Sequence, residues 1–455
     1  MRYILAIMLL FTVFSPAARA GAGVIEEDLD FGGTSPVLLM SPDGIVHLVF
    51  LSASRLASYS RRDESGWNDP AVLPGTTSDP RFTRPSAAFL DTGPPAVLVV
   101  LRGSDGGEGW TKLEAAVGGT GGWTNEDVAT AEEGGHYSVP AVGVSNGAAV
   151  AIAQFCPTMD CPNGFIRWFR REGADSWTDG GMLGPSAPPE QRDCAMASGP
   201  DGKVHAAWAA AGRSGYYMAY VEGEGWSELE EFDPRGAVST VSFGGLSTLA
   251  SGDPIRVFFG FPTLTFEFTR RAGAAGWTES VNIGSAGEGD DFDHYANVAA
   301  GESGSIMAVW ALYNGSSGRA GTIQAAVNDG SGWTLSDLAT DADVVNGSAP
   351  SVTSLGDTMA VIWRKHDGNF HFIQAAPDET PEEDEEEPAS EAVEPPPDAS
   401  IDSVIDTIAD APDTGPDPID DPASDPAPDA ADSTDALQDP GDTSTSSGCG
   451  CMVSR

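Results

Sequence analysis

Seven stretches of this 455-residue chain repeat one another, and six of them close on the same short tail: Gly66-Trp67, Gly122-Trp123, Ser176-Trp177, Gly225-Trp226, Gly276-Trp277 and Gly332-Trp333. Successive tryptophans lie 56, 54, 49, 51 and 56 residues apart. A repeated unit too small to bury its own apolar faces must stack on its neighbours, so a period of this size limits the fold sharply. The first unit contains an apolar run (Pro36–Met40), a turn (Ser41-Pro42-Asp43-Gly44), two further runs (Ile45–Phe50 and Leu56–Arg61) and then Gly66-Trp67. Residues 195–226 and 296–333 follow the same plan. The runs are short, β-branched or aromatic, and bounded by Gly, Asp, Asn or Ser, which is the signal for strands joined by tight turns. No helical periodicity of useful length interrupts them, so the mature body is expected to be all-β.

Four short antiparallel strands in each unit of about 50 residues describe one blade of a β-propeller. Small residues such as Ala195, Ala197, Ala206, Ala207, Ala299 and Ala300 suit crowded strands near the axis, and each tail Trp would fill the wider gap between blades. The seventh unit, Pro350–Ala376, stops without its Gly-Trp strand, whereas Gly23–Phe31 stands as an extra strand ahead of the first unit. Letting that strand complete the last blade removes an exposed sheet edge. The expected fold is therefore a seven-bladed β-propeller over residues 21–376, closed by an N-terminal strand.

The two ends carry other information. Arg2, the apolar run Tyr3–Phe14 and the small-x-small site Ala18-Arg19-Ala20 make residues 1–20 a secretory signal peptide, too short to span a membrane. Residues 377–455 hold 24 acids and one base, so they contribute −23 of the net charge of −45. With 13 of the chain's 33 prolines here, residues 377–447 read as a disordered acidic Pro/Asp-rich stalk with no apolar surface to offset ordering. Residues 448–455 follow as a cysteine-containing segment. The body, residues 1–376, has 44 acids against 22 bases, a net −22 that would repel phosphates, so nucleic acid is excluded as a partner.

Three cysteines lie in the body. Cys156 and Cys161 flank the loop between the second and third strands of the third unit, and Cys194 precedes the first strand of the fourth. In a secreted chain a disulfide is the default. Cys156–Cys161 is the simplest pairing, with Cys156–Cys194 and Cys161–Cys194 as cross-blade alternatives. A three-cysteine zinc site lacks a paired Cys-x-x-Cys, and no metal is assigned.

Candidate ligand-binding residues lie where the chain leads into each first strand, because those segments converge on the central funnel. They are Arg84 in the second blade (with Arg81 nearby), His136 and Tyr137 in the third, Arg192 and Asp193 in the fourth, and Asp293, His294 and Tyr295 in the sixth. Arginine forks a carboxylate while an aromatic ring covers a sugar face, so this set suits acidic or hydroxylated ligands. His47 and His205 share one repeat position, Val-His-x-x-aromatic, which marks them as packing residues. Asp290, Asp291 and Asp293 suggest calcium yet lack the full ligand spacing and the glycine of a calcium loop, so no cofactor is assigned.

The Asp-Gly turns ahead of a His-x-x-Trp strand, with Gly-Trp closing each unit, resemble sialidase-like (BNR-type) and sugar-lyase-like propeller repeats. That family's Ser-x-Asp-x-Gly-x-Thr-Trp boxes are kept here only as turns, at Ser41-Pro42-Asp43-Gly44 and Ser198-Gly199-Pro200-Asp201-Gly202. The resemblance implies an arginine cluster to which Arg84 and Arg192 would contribute, with Arg81 as a third. No catalytic triad, phosphate-binding Gly loop or His-Glu-x-x-His occurs, so no catalytic residue is assigned. The stalk running into Gly448-Cys449-Gly450-Cys451 resembles the C-terminal sorting tags of myxobacterial surface proteins, which implies Cys449 or Cys451 as a surface anchor. The sequence departs from that tag in that a single Arg, and no apolar helix, follows. The expected function is that of a secreted or surface-displayed recognition module for a glycan or an envelope protein, retained at the cell surface or outer membrane. The alternative is a glycan-cleaving enzyme, a sialidase-like hydrolase or polysaccharide lyase, with His136/Tyr137 or His294/Tyr295 as acid–base groups in the funnel.

Overall fold

The computed structural model describes residues 24–376 except 76–83, 91–95, 104–110, 120, 133, 159–160, 162–163, 186–190, 211–214, 233–240, 261–262, 287–289, 293–295, 315–320 and 341–348. The expected leader, the acidic stalk, Cys449, Cys451, Arg81, Asp293, His294 and Tyr295 all lie outside the described residues.

Turn chemistry sets the local structure. Ser41 bonds Asp43 and the Ile45 carbonyl while Gly44, at φ 81°, reverses the chain between the strands Thr34–Met40 and Val46–Leu51. The third and fourth strands of this blade, Ala57–Asp63 and Gly66–Trp67, complete an antiparallel sheet. Six more such sheets follow, with first strands at Ser86–Leu90, His136–Ser145, Gln191–Ser198, Val241–Thr248, Asp290–Phe292 with Asn297–Ala300, and Ser351–Leu355. The chain is a seven-bladed β-propeller, as the repeat requires.

The last sheet is completed from the other end of the chain. Val24–Gly32 runs antiparallel to Asn369–Ala375, with Val24 opposite Ala375 and Asp28 opposite His371. Leu29 is buried there against Phe370 and Phe372. Asp28 also takes an ion pair from Lys365 at 3.1 Å and lies 2.6 Å from the His371 ring. The closure predicted from the leftover strand is present over Val24–Gly32.

Second strands are covered on both faces by neighbouring blades, which is why they read as unbroken apolar runs. Every residue of Val46–Leu51 and of Pro254–Gly260 is buried. Between blades, the tail tryptophans pack backwards onto the preceding sheet. Trp67 meets Phe372 at 5.2 Å, Trp123 meets Tyr59 at 4.9 Å, Trp226 meets Trp168 at 5.8 Å, Trp277 meets Tyr217 at 5.4 Å, and Trp333 meets Phe268 at 4.9 Å. The first four of these are edge-on and the last is tilted, and aromatic pairs of this kind add about 0.5–1.5 kcal/mol to plain burial.

Every second blade adds a charged clamp. Arg62 and Arg171 sit on third strands, and Arg271 directly follows one, in each case just ahead of Gly-Trp or Ser-Trp. They fork Glu27, Glu126 and Glu230 of the preceding blades, with contacts of 2.7, 2.6 and 2.7 Å. Each lies in an Arg-Arg pair (61–62, 170–171, 270–271) confined to blades 1, 3 and 5, so the chain carries a two-blade repeat above the one-blade repeat. Around the axis, serine hydroxyls join adjacent first strands. Ser351 accepts from the Leu38 amide at 3.0 Å, Ser86 from Val142 at 3.0 Å, and Ser198 from Val144 at 2.9 Å.

Candidate functional site

Among the described residues two cavities lie on the axis, and the sequence places different chemistry at each. Ala87, Met196, Leu246, Val298 and Val352 line both, forming an apolar waist between them. The wider cavity, about 890 Å³, opens where the Asp-Gly turns lie and is lined by Ser198, Asp201, Ser247, Thr248, Thr353 and Ser354 among others. The narrower one, about 210 Å³, lies where the first strands begin, and Arg84, Asp193, Cys194, Asn297 and Ser351 line it. Volume favours the first mouth. Charge favours the second, which both an arginine and an aspartate line, and ligand orientation depends on such groups more than on space.

A repeated backbone irregularity builds the narrower mouth. First-strand register shifts between Thr34 and Val37, Ser138 and Ala141, Arg192 and Ala195, and Phe243 and Leu246. Ser35, Val139 and Asp193 occupy the bulge with φ of 54°, 43° and 53°, a left-handed backbone that side chains rarely adopt. Pro36, Pro85, Pro140 and Pro350 follow the same position and, lacking an N–H, withhold a ladder bond there. Arg84 and Asp193 are thus equivalent residues of blades 2 and 4. In blade 5 the position is Gly244, where an added Cβ would stand 2.4 Å from the Ala296 carbonyl, so only glycine admits this close approach of two blades. The sequence reading missed this ring, although Ser35-Pro36, Arg84-Pro85, Val139-Pro140 and Ala349-Pro350 announce it.

Behind Asp193 lies a fully buried cation. Arg256, on the second strand of blade 5, stacks its guanidinium over Phe232 at 5.8 Å. Burial lowers its pKa to about 9, while Asp193 and Cys194 favour its charge. Burial likewise pushes the Cys194 thiol up to about 12, and the thiol bonds the Val139 carbonyl at 2.7 Å. Cys194 is therefore a packed, neutral thiol in the cavity wall.

The remaining candidates separate. Arg192 has its backbone in the blade 4 ladder, opposite Ala209. Tyr137 is only 1% exposed, its ring 5.4 Å from Phe155 and 5.8 Å from Phe169. Contrary to the expectation that it faces the funnel, it fills the core between blades 2 and 3, where a large ring gains more by burial than at a wet mouth. His136 is also buried and lies opposite Cys156 in the ladder. Cys156 and Cys161 form the disulfide, the simplest of the three pairings. The group drawn close to that pair is His136 and not Cys194.

His47 and His205 are blade-core residues. Their Nδ1 atoms each lie 2.7 Å from a tyrosine hydroxyl, Tyr59 and Tyr217 respectively. Burial lowers both to about 4, so both are neutral at physiological pH.

No protein-family model and no curated protein matches this chain. Among solved structures it is similar to a PL25 polysaccharide lyase, an ulvan lyase bound to -[GlcA(1-4)Rha3S]-. That match has a TM-score of 0.52 and 9% identity, and it covers 78% of this chain and 96% of the lyase. It is also similar to the six-bladed fungal lectin of Aleuria aurantia, a fucose-recognising protein, with a TM-score of 0.45, 12% identity, and 69% and 96% covered. A third is the Penicillium chrysogenum α-L-arabinanase complexed with arabinobiose, with a TM-score of 0.40, 12% identity, and 67% and 96% covered. At these identities the similarity extends to the β-propeller fold.

Proposed function

We propose that the chain is a secreted glycan-recognition propeller whose ligand enters at the narrower mouth, between Arg84 and Asp193. The observation that carries this reading is the placement of these two side chains. Asp193 occupies the blade 4 bulge, Arg84 stands at the matching position just ahead of the blade 2 first strand, and both line one cavity with Asn297 and Ser351. A cation, a carboxylate, an amide and a hydroxyl at the starts of four first strands match the carboxyl and hydroxyl groups of an acidic sugar. The leader-like residues 1–20 and the pair Cys449/Cys451 support export and retention at the cell surface, in the manner of the sorting tags noted above. An envelope protein is the other partner class, and the experiment separates the two.

The test is a glycan array probed with the full chain and with Arg84→Ala and Asp193→Asn, since asparagine tolerates the left-handed backbone at position 193 while losing the charge. The expected result is binding to uronic-acid-containing glycans that each substitution weakens about tenfold or more, the worth of a charged hydrogen bond. Binding that both variants retain would remove the ligand from this mouth. No glycan bound by the parent chain would point to a protein partner. Unsaturated products appearing from a bound glycan would convert the reading to a lyase.

A further inference from the structure

The Cys156–Cys161 disulfide has a neighbour that a covalent staple does not need. His136 pairs directly with Cys156 across the ladder, and only 5% of it is exposed. One imidazole nitrogen and the two sulfurs all lie within 4.8 Å of one another. Cys161 turns its sulfur back through a left-handed backbone, φ 49°, and that sulfur accepts from the Gln154 side-chain amide at 3.4 Å. Two sulfurs and an imidazole are a donor set suited to zinc. Around a tetrahedral zinc, ligand atoms stand about 3.3–3.8 Å apart, so the imidazole must approach by up to roughly an ångström, while the two sulfurs, about 2 Å apart when bonded, must separate once the disulfide is reduced. The Gln154 amide would stay in place to steady the Cys161 thiolate, as outer groups do for metal ligands.

We propose that His136, Cys156 and Cys161 form a latent zinc site that opens when the disulfide is reduced. An external dithiol supplies two electrons and two protons. Its own sulfurs become a disulfide, and Cys156 and Cys161 become thiols. Zinc then displaces the two thiol protons and takes the His136 nitrogen as third ligand, with the fourth position left to water. The two states exclude each other, because the sulfurs cannot be bonded to each other and ligate as thiolates. Cys194 takes no part, since its thiol is already bonded to the Val139 carbonyl.

The test uses the full chain carrying Cys449→Ser and Cys451→Ser, which removes the other chelating pair, with cobalt(II) as the spectroscopic probe. After reduction and removal of the dithiol, the chain is expected to take up one equivalent of cobalt with thiolate-to-metal absorption that zinc abolishes. The unreduced chain should show none, and His136→Asn should weaken binding by at least the roughly 10–100-fold that even a supporting residue costs. Zinc should also slow alkylation of Cys156 and Cys161 in the parent chain, mapped by peptide mass. That readout needs no variant to fold. The proposal is overturned if the reduced chain takes up no cobalt and alkylates at the same rate with zinc, or if His136→Asn binds as tightly as the parent.

Discussion

Glu126 shows what a single buried charge does in this ring. Burial raises its pKa, yet the forked Arg171 guanidinium and the Trp177 N–H, each bonding it at 2.6–2.8 Å, outweigh that and hold the carboxyl below its usual range. Its contribution to stability is therefore present above the unfolded value of 4.5 and is lost as pH falls. Arg171→Ala would strand a carboxylate whose side chain is 1% exposed, and urea unfolding should show a loss of about 3–5 kcal/mol. Adding Glu126→Leu should return much of that, because the unpaired charge, and not the missing pair, carries the cost. His47 and His205 follow the opposite chemistry to the same direction in pH. Both drop from 6.5 when unfolded to about 4 when buried, so the unfolded chain binds more protons between those values. Stability is complete above pH 6.5 and declines toward pH 4, by up to about 3 kcal/mol for each imidazole. His205→Gln should flatten that slope when unfolding free energies at pH 7 and pH 4.5 are compared.

Among the strands, the one with the least support from its own sequence neighbours is Val24–Gly32, which must find its partner at the far end of the propeller. Its docking rests on Leu29 in the core, on the fork between Glu27 and Arg62, and on the Asp28 contacts to Lys365 and His371. Leu29→Asp should detach it, at a cost of several kcal/mol for a buried unpaired charge. The freed edge of Asn369–Ala375 would then be open to pairing with other chains. Size-exclusion chromatography with light scattering should show soluble oligomers for this variant and none for Glu27→Ala, which removes only a partly exposed pair worth about 1 kcal/mol. The existence of this strand was legible, since a unit lacking its fourth strand and a strand lacking a unit can be matched by counting. The bulge ring is not carried by the apolar alternation of each first strand. The Ser-Pro, Arg-Pro, Val-Pro and Ala-Pro pairs that break it lie just outside that pattern.

At the scale of the whole molecule, closure decides how the blades unfold. An open array of repeats unfolds as a chain of neighbours, whereas a ring fastened by Val24–Gly32 couples its first and last blades. A single urea transition is expected for the parent, and a broader one with a smaller slope for Leu29→Asp, because part of the buried surface would already be exposed. Closure also holds the mouth in shape, since Arg84 and Asp193 belong to blades 2 and 4 and line one cavity only when every intervening strand is in register.

The one-blade period, the turn residues and the apolar second strands determined the architecture on their own. Each is a local pattern that can be met in only one way once it recurs seven times. The tail tryptophans, the packing roles of His47 and His205, and Cys156–Cys161 as the simplest pairing were legible for the same reason, being short-range or repeated. Only the tertiary structure decided which polar residues face the axis. Tyr137 and Arg84 both stand near the start of a first strand, Tyr137 inside His136–Ser145 and Arg84 just ahead of Ser86–Leu90, yet one side chain is 1% exposed in the core between two blades and the other lines a cavity. A one-residue bulge reverses the face a side chain takes, and its place is set by contacts between blades that no single repeat contains.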